Sequence, residues 1–165
     1  MSISEILEKI EKTAYEYDKV YHGCSQCTLK AIQEHLNLGN GEAFKAASAL
    51  AGGIARMGET CGALLGAIMA IGLAYGREKL EVTLSSINYQ KAMKVAMKLY
   101  QKFEEEFGST KCRDIQRTLF GRSFNLNNPK DLEEFIKISA YEKCAKVVGK
   151  TARIAAEIIL TSRDE

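Results

Sequence analysis

The chain has 165 residues, 46% of them apolar and 27% charged, with one Pro, no Trp, five Cys and a formal net charge of +2. That is enough chain for one real core. The small charge and the lack of a Lys/Arg block leave no electrostatic footprint for nucleic acid or an anionic membrane, so partners of either kind are excluded.

The first residues, MSISEILEKIEK, are charged and amphipathic and do not read as a secretory signal. Ser4 is the expected cap of a first helix carrying Ile6, Leu7, Ile10, Ala14 and Tyr17 on one face, ending near Tyr21. Gly23 breaks it, and Cys24–Leu36 reads as the second helix. The sequence NLGNG at 37–41 is a turn, because Asn and Gly tolerate left-handed angles. Glu42–Ile54 reads as a small-residue helix running into a bend at Gly52-Gly53, and 56–60 as a loop.

Thr60 is the expected cap of a helix over Cys61–Tyr75, CGALLGAIMAIGLAY. This run is shorter than the roughly 20 apolar residues of a membrane span, so it reads as a buried helix and no membrane insertion is expected. Its glycines, Gly62 and Gly66, cost about 1 kcal/mol each in a helix interior, which points to close packing or room for a ligand. Ile87–Phe107 is a long amphipathic helix stopped by Gly108, with Glu104–Glu106 on its solvated side. A short helix follows before Phe120, with Cys112 near its start. Asn125–Pro129 is a turn, and Asp131–Val148 is a helix that Gly149 interrupts before Thr151–Leu160. The expectation is an all-α single domain over residues 1–165, a bundle of about six helices, with no repeat and no dividing linker.

Five cysteines without an export signal suit a reducing, cytoplasmic setting and point to thiol or metal chemistry more than to disulfides. Cys24-Ser-Gln-Cys27 is a CxxC at an expected helix start, where free amides and the helix dipole favour a thiolate. Thr28 follows it, so the CxxCH of c-type haem attachment is absent. Cys61 and Cys112 also fall at expected helix starts, and the three could converge on one electropositive pocket. Cys144 lies inside a helix on an apolar face, where a core role and a functional one are about equally expected. Arg56, beside the Gly-rich bend, is a candidate anion contact.

Gly52-Gly53 followed by Gly58-Glu-Thr-Cys61-Gly62-Ala63-Leu64-Leu65-Gly66 resembles the central segment of the C_GCAxxG_C_C family of redox-active proteins. Gly23-Cys24, Gly108-Ser-Thr-Lys-Cys112 and Tyr141-Glu-Lys-Cys144 resemble its other cysteine segments, over about residues 17–157. The resemblance implies a helical domain with four characteristic cysteines and either redox activity or a cysteine-held metal centre. Cys27 is additional to that pattern, as a resolving thiol or a bystander.

Three functions remain open at this level. In the first, Cys24, Cys61, Cys112 and Cys144 hold an iron–sulfur cluster or zinc for electron transfer. In the second, Cys24 with Cys27 or Cys61 performs metal-free dithiol exchange. In the third, the chain is a non-catalytic helical interaction module with buried cysteines. Gly62, Gly66 and Arg56 are the candidate cofactor contacts. A redox partner protein and a homodimer through the small-residue faces are the expected associations.

Overall fold

The computed structural model describes residues 1–165 and consists of eight α-helices with no strands. The first, α1 (Ile3–Tyr21), is capped by Ser2 and not by Ser4. Ser2 is followed three residues later by Glu5, so each side chain satisfies the other's free amide. Helix α2 (Cys24–Leu36) starts after Gly23, at φ 83°, and ends at Asn37 in the left-handed region.

The expected helix over 42–54 is shorter. Only α3 (Gly41–Ala46) is α-helical, followed by a single 3-10 turn at Ser48–Leu50. Side chains of α2 capture the carbonyls that would have continued it: Ser25 Oγ donates to the Ala47 carbonyl at 2.8 Å and Gln26 Nε2 to that of Phe44 at 3.0 Å. Helix α4 (Gly62–Tyr75) begins at Cys61, which takes the capping position expected of Thr60.

Helix α5 (Ile87–Phe107) runs from the Ser86 cap to a left-handed Gly108. Helix α6 (Cys112–Phe120) is short, and α7 (Pro129–Lys137) has the Asn128 cap and Pro in its first turn, a start that Pro tolerates well. Helix α8 (Ala140–Thr161) is continuous through Gly149. The break falls earlier, at Ser139, held at φ 56°. Moving the break and shortening α3 leave the number of segments unchanged, and the count is eight α-helices against the expected six or so.

Helix α1 packs on α8 and α2, α2 on α4, and α4 also on α5 and α8. Burial on several sides explains why α4 lacks a polar face: Leu64, Ala67, Ala70 and Ile71 are all buried. The small residues serve contacts inside this chain. A Cβ on Gly66 would stand against the Ser25 backbone, and one on Gly149 would lie 2.8 Å from the Glu11 carbonyl of α1. Gly66 and Gly149 are thus used in packing between the chain's own helices, while Ala46, Ala49 and Gly72 remain exposed. A second, smaller core of Phe124, Leu126, Phe135 and Ala140 joins α6, α7 and the start of α8. No helix is long and apolar enough to cross a membrane.

Gly72 is the exception among the α4 glycines, since a Cβ there meets nothing within 4 Å. Gly72→Ala is expected to raise stability by roughly 0.5–1 kcal/mol, the helix-propensity difference. A urea midpoint that falls would contradict it.

Candidate functional site

Four cysteines from four separate helices converge at one end of the bundle. Cys24 opens α2, directly after the left-handed Gly23. Its sulfur packs against α4 so closely that a Cβ on Gly62 would stand well under 3.0 Å from Sγ. Gly62 thus makes room for the Cys24 thiol, and the neighbouring Cys61 is brought to it. Cys112 opens α6, and its Cβ would lie 2.8 Å from a Cβ on Gly53. Cys144 comes from the second turn of α8.

Cys61 and Cys112 are stitched together by backbone. Thr60 and Lys111 form an isolated antiparallel bridge. The Cys61 amide donates to the Thr110 carbonyl at 2.8 Å, and the Cys112 amide to that of Glu59 at 2.7 Å. Arg113 reinforces the stitch, donating from its amide and Nε to the Gly58 carbonyl and pairing with Glu59.

Cys24, Cys112 and Cys144 line a cavity of about 120 Å³; Cys61 does not line it but lies near enough to Cys24 to act on it electrostatically. Leu126, Phe135 and Tyr141 of the smaller core close it on one side. Burial first, and the neighbouring thiols second, push the thiols of Cys24, Cys61 and Cys112 up to about 12. Cys144 is raised well above the usual thiol range, again chiefly by burial, with Asp18 and the other three cysteines adding to it. The helix-start amides act as expected, those of Ala63 and Leu64 on Cys61 favouring the charged form. Desolvation outweighs them, so the expected thiolate is a neutral thiol in the protein alone.

Cys27 faces elsewhere. Its thiol donates to the His22 carbonyl at 3.0 Å and borders a separate surface depression with Tyr17, Lys30 and Phe44. The two cysteines of the CxxC therefore have different surroundings, although both are buried enough for their proton affinity to rise, Cys27 to about 12.

Sequence reasoning missed Asp18. It is 2% exposed, lines the cavity, and burial lifts its carboxyl to about 7. The signal was available: the buried stripe of α1 runs Leu7, Ile10, Ala14, and its next member is an acid. No three His, Cys, Asp or Glu side chains converge closely enough to hold a single metal ion.

Arg56 stands at the cavity mouth on an unusual backbone. Residues 52–56 are all left-handed, with φ of 68°, 75°, 62°, 49° and 60°. Three of them, Ile54, Ala55 and Arg56, are not glycine, and each costs about 1–2 kcal/mol in that conformation. The Gly58 amide donates a hydrogen bond to the Gly52 carbonyl and the Glu59 amide to the Gly53 carbonyl, holding the segment, and Asn127 Nδ2 donates to the Ala55 carbonyl at 3.0 Å. Across the mouth, the His22 ring stacks on Tyr141 with centroids 3.6 Å apart. Gly62 and Arg56 therefore both adjoin the cysteine cavity, whereas Gly66 sits one turn along α4 and serves the contact with α2.

A family model described as "Putative redox-active protein (C_GCAxxG_C_C)" matches residues 22–158. An Archaeoglobus fulgidus protein described as "Uncharacterized protein" is 28% identical over 164 residues, covering 96% of this chain and 95% of its own length. No solved structure matches.

Proposed function

The chain belongs to the C_GCAxxG_C_C family of redox-active proteins, and we propose that its redox centre is an iron–sulfur centre held by Cys24, Cys61, Cys112 and Cys144 for electron transfer. The observation that carries this reading is that thiols from α2, α6 and α8 line one small cavity, with Cys61 near enough to Cys24 and Cys112 to act on them electrostatically. Four thiolates in so buried a place need positive charge beside them, and iron is a natural source of it. The donors do not meet at one point, which disfavours a single zinc ion. A polynuclear centre spreads its ligands more widely and suits a cavity of about 120 Å³.

When bound, such a centre supplies one-electron transfer. The chain's own residues do the rest. Gly62 leaves space at the Cys24 sulfur, and the Ala63 and Leu64 amides stabilise charge on Cys61. Phe135 and Leu126 limit water. Each ligating thiol must lose its proton, so loading is expected to weaken as pH falls. A redox partner protein would reach the centre from the mouth that carries His22, Arg56 and Tyr141, and the reducing cytoplasm is the compartment that suits the thiols.

A metal-free dithiol reaction is the second reading, favoured by the packing of Cys24 against the residue next to Cys61. It ranks lower because a thiol pushed up to about 12 is mostly protonated at neutral pH and a weak nucleophile.

The test is iron, acid-labile sulfide and free thiols measured on protein purified without oxygen. About two or four irons with matching sulfide are expected. Ser at position 24, 61, 112 or 144 should remove most of it, and Cys27→Ser should leave it in place. Protein that neither contains nor takes up iron and sulfide, yet has reactive thiols, would transfer the assignment to dithiol chemistry.

A further inference from the structure

We propose that a groove beside the cysteine cavity binds a small oxyanion, a carboxylate or phosphate, with the Arg56 guanidinium as its counter-charge. As the contact for a substrate or electron donor this rests on the redox reading above; as a binding site it stands independently.

The groove has a volume of about 590 Å³ and shares His22, Gly23, Ala51, Arg56 and Tyr141 with the cysteine cavity. A molecule lying in it therefore reaches the vestibule of Cys24. Its remaining polar wall comes from Gln26, Ser48 and Asn127, and no Asp or Glu lines it. Gln26 Nε2 donates to Ser48 Oγ at 2.9 Å and Asn127 Nδ2 to the Ala55 carbonyl, so both amides are fixed in place. Asp18 lies in the inner cavity and not on the groove wall.

Arg56 differs from the other arginines nearby. Arg113, Arg117 and Arg122 each pair with a carboxylate. The Arg56 amide donates to the Ala51 carbonyl at 3.1 Å, whereas its guanidinium makes no ion pair and no hydrogen bond within the chain. Exposed arginines are often unpaired, and that alone would mean little. This one is carried by a backbone that no local preference explains, with Ile54, Ala55 and Arg56 all at positive φ. Strain of that kind persists where surrounding contacts hold it, and it gathers at ligand clamps. Here it delivers a free guanidinium, with its planar fork of donors, to an acid-free polar groove.

The experiment is a nitrogen-15 NMR titration of the full chain with inorganic phosphate and with succinate, against sodium chloride at matched ionic strength. Saturable shifts are expected at the amides of residues 52–58 and at Arg56 Nε with at least one of the two oxyanions. Arg56→Gly should weaken binding roughly ten-fold or more, the worth of a charged hydrogen bond. Glycine is favoured at this φ, so the variant should be at least as stable as the parent, and lost binding cannot be lost folding. Arg56→Lys should keep part of the affinity. Equal shifts with chloride, no saturation with either oxyanion, or unchanged binding in Arg56→Gly would each overturn the proposal. Iron, sulfide and thiol content measured on the same samples reports separately on the redox centre, so the two ideas can fail independently.

Discussion

Gly66→Ala is expected to lower stability by about 3 kcal/mol or more, the upper part of the range for overpacking a core. A Cβ at residue 66 would press into the Ser25 carbonyl group, far inside contact distance. That carbonyl has nowhere to go. Ser25 is fully buried, its hydroxyl is tied to the Ala47 carbonyl at 2.8 Å, and it belongs to the first turn of α2. The two helices must part or tilt. For a chain of this length each kcal/mol moves the melting point by about 2–4 °C, so a fall of roughly 6–12 °C is expected. Because Cys24 precedes Ser25, retention of the proposed iron centre should suffer as well. The contrast with Gly72→Ala, on the same helix, separates a general response to alanine from the specific contact. An unchanged urea midpoint for Gly66→Ala would show that α2 and α4 do not approach as described.

Asp18→Asn should remove most of the pH dependence of stability between about pH 4 and 7 in metal-free protein. In the unfolded chain the carboxyl ionises near its ordinary value of 3.8, whereas burial raises it to about 7 in the fold. Between those values the folded state binds more protons, so stability falls as pH rises and levels off above about 7. The span corresponds to at most about 4 kcal/mol. The amide carries no charge to bury, so the variant should be more stable than the parent at pH 8 by about 2–4 kcal/mol and nearly equal to it at pH 4. Chemical denaturation across this pH range checks both the slope and its sign. A slope that survives in Asp18→Asn would assign it to another group.

Much of the architecture was legible because it is locally encoded. The stripe of α1 and the glycine stop after α5 each depend on neighbours in sequence, whereas α7 starts at Pro129, inside the expected turn and two residues before the expected Asp131. The glycines of α4 announced a close approach, and Gly62 and Gly66 make one. What escaped is set by distant partners. The left-handed segment of residues 52–56 is held by backbone hydrogen bonds to residues 49–53 and by Asn127 on the Ala55 carbonyl, and the side chains of Ile54 and Ala55 do not signal it. The early end of α3 depends on side chains of α2 taking its carbonyls. At the site, the helix starts of Cys24 and Cys112 were readable, but the thiol ionisation was misjudged. Amide donors are a local property, whereas the burial that outweighs them exists only once four helices have met.

The seating of α8 on α1 at Gly149 bears on how the protein is made. Those helices stand far apart along the chain, and the wall that carries Cys144 is translated long after Cys24, Cys61 and Cys112. While the ribosome is still at work, the apolar stripe of α1 lacks its main cover, and the three earlier thiols lack their fourth neighbour. Domains fold as units, and contacts of such long separation close late. Insertion of the proposed iron–sulfur centre would therefore follow translation and take place on a finished polypeptide. A nascent chain stalled before α8 offers only an incomplete receptacle, with cysteines open to oxidation.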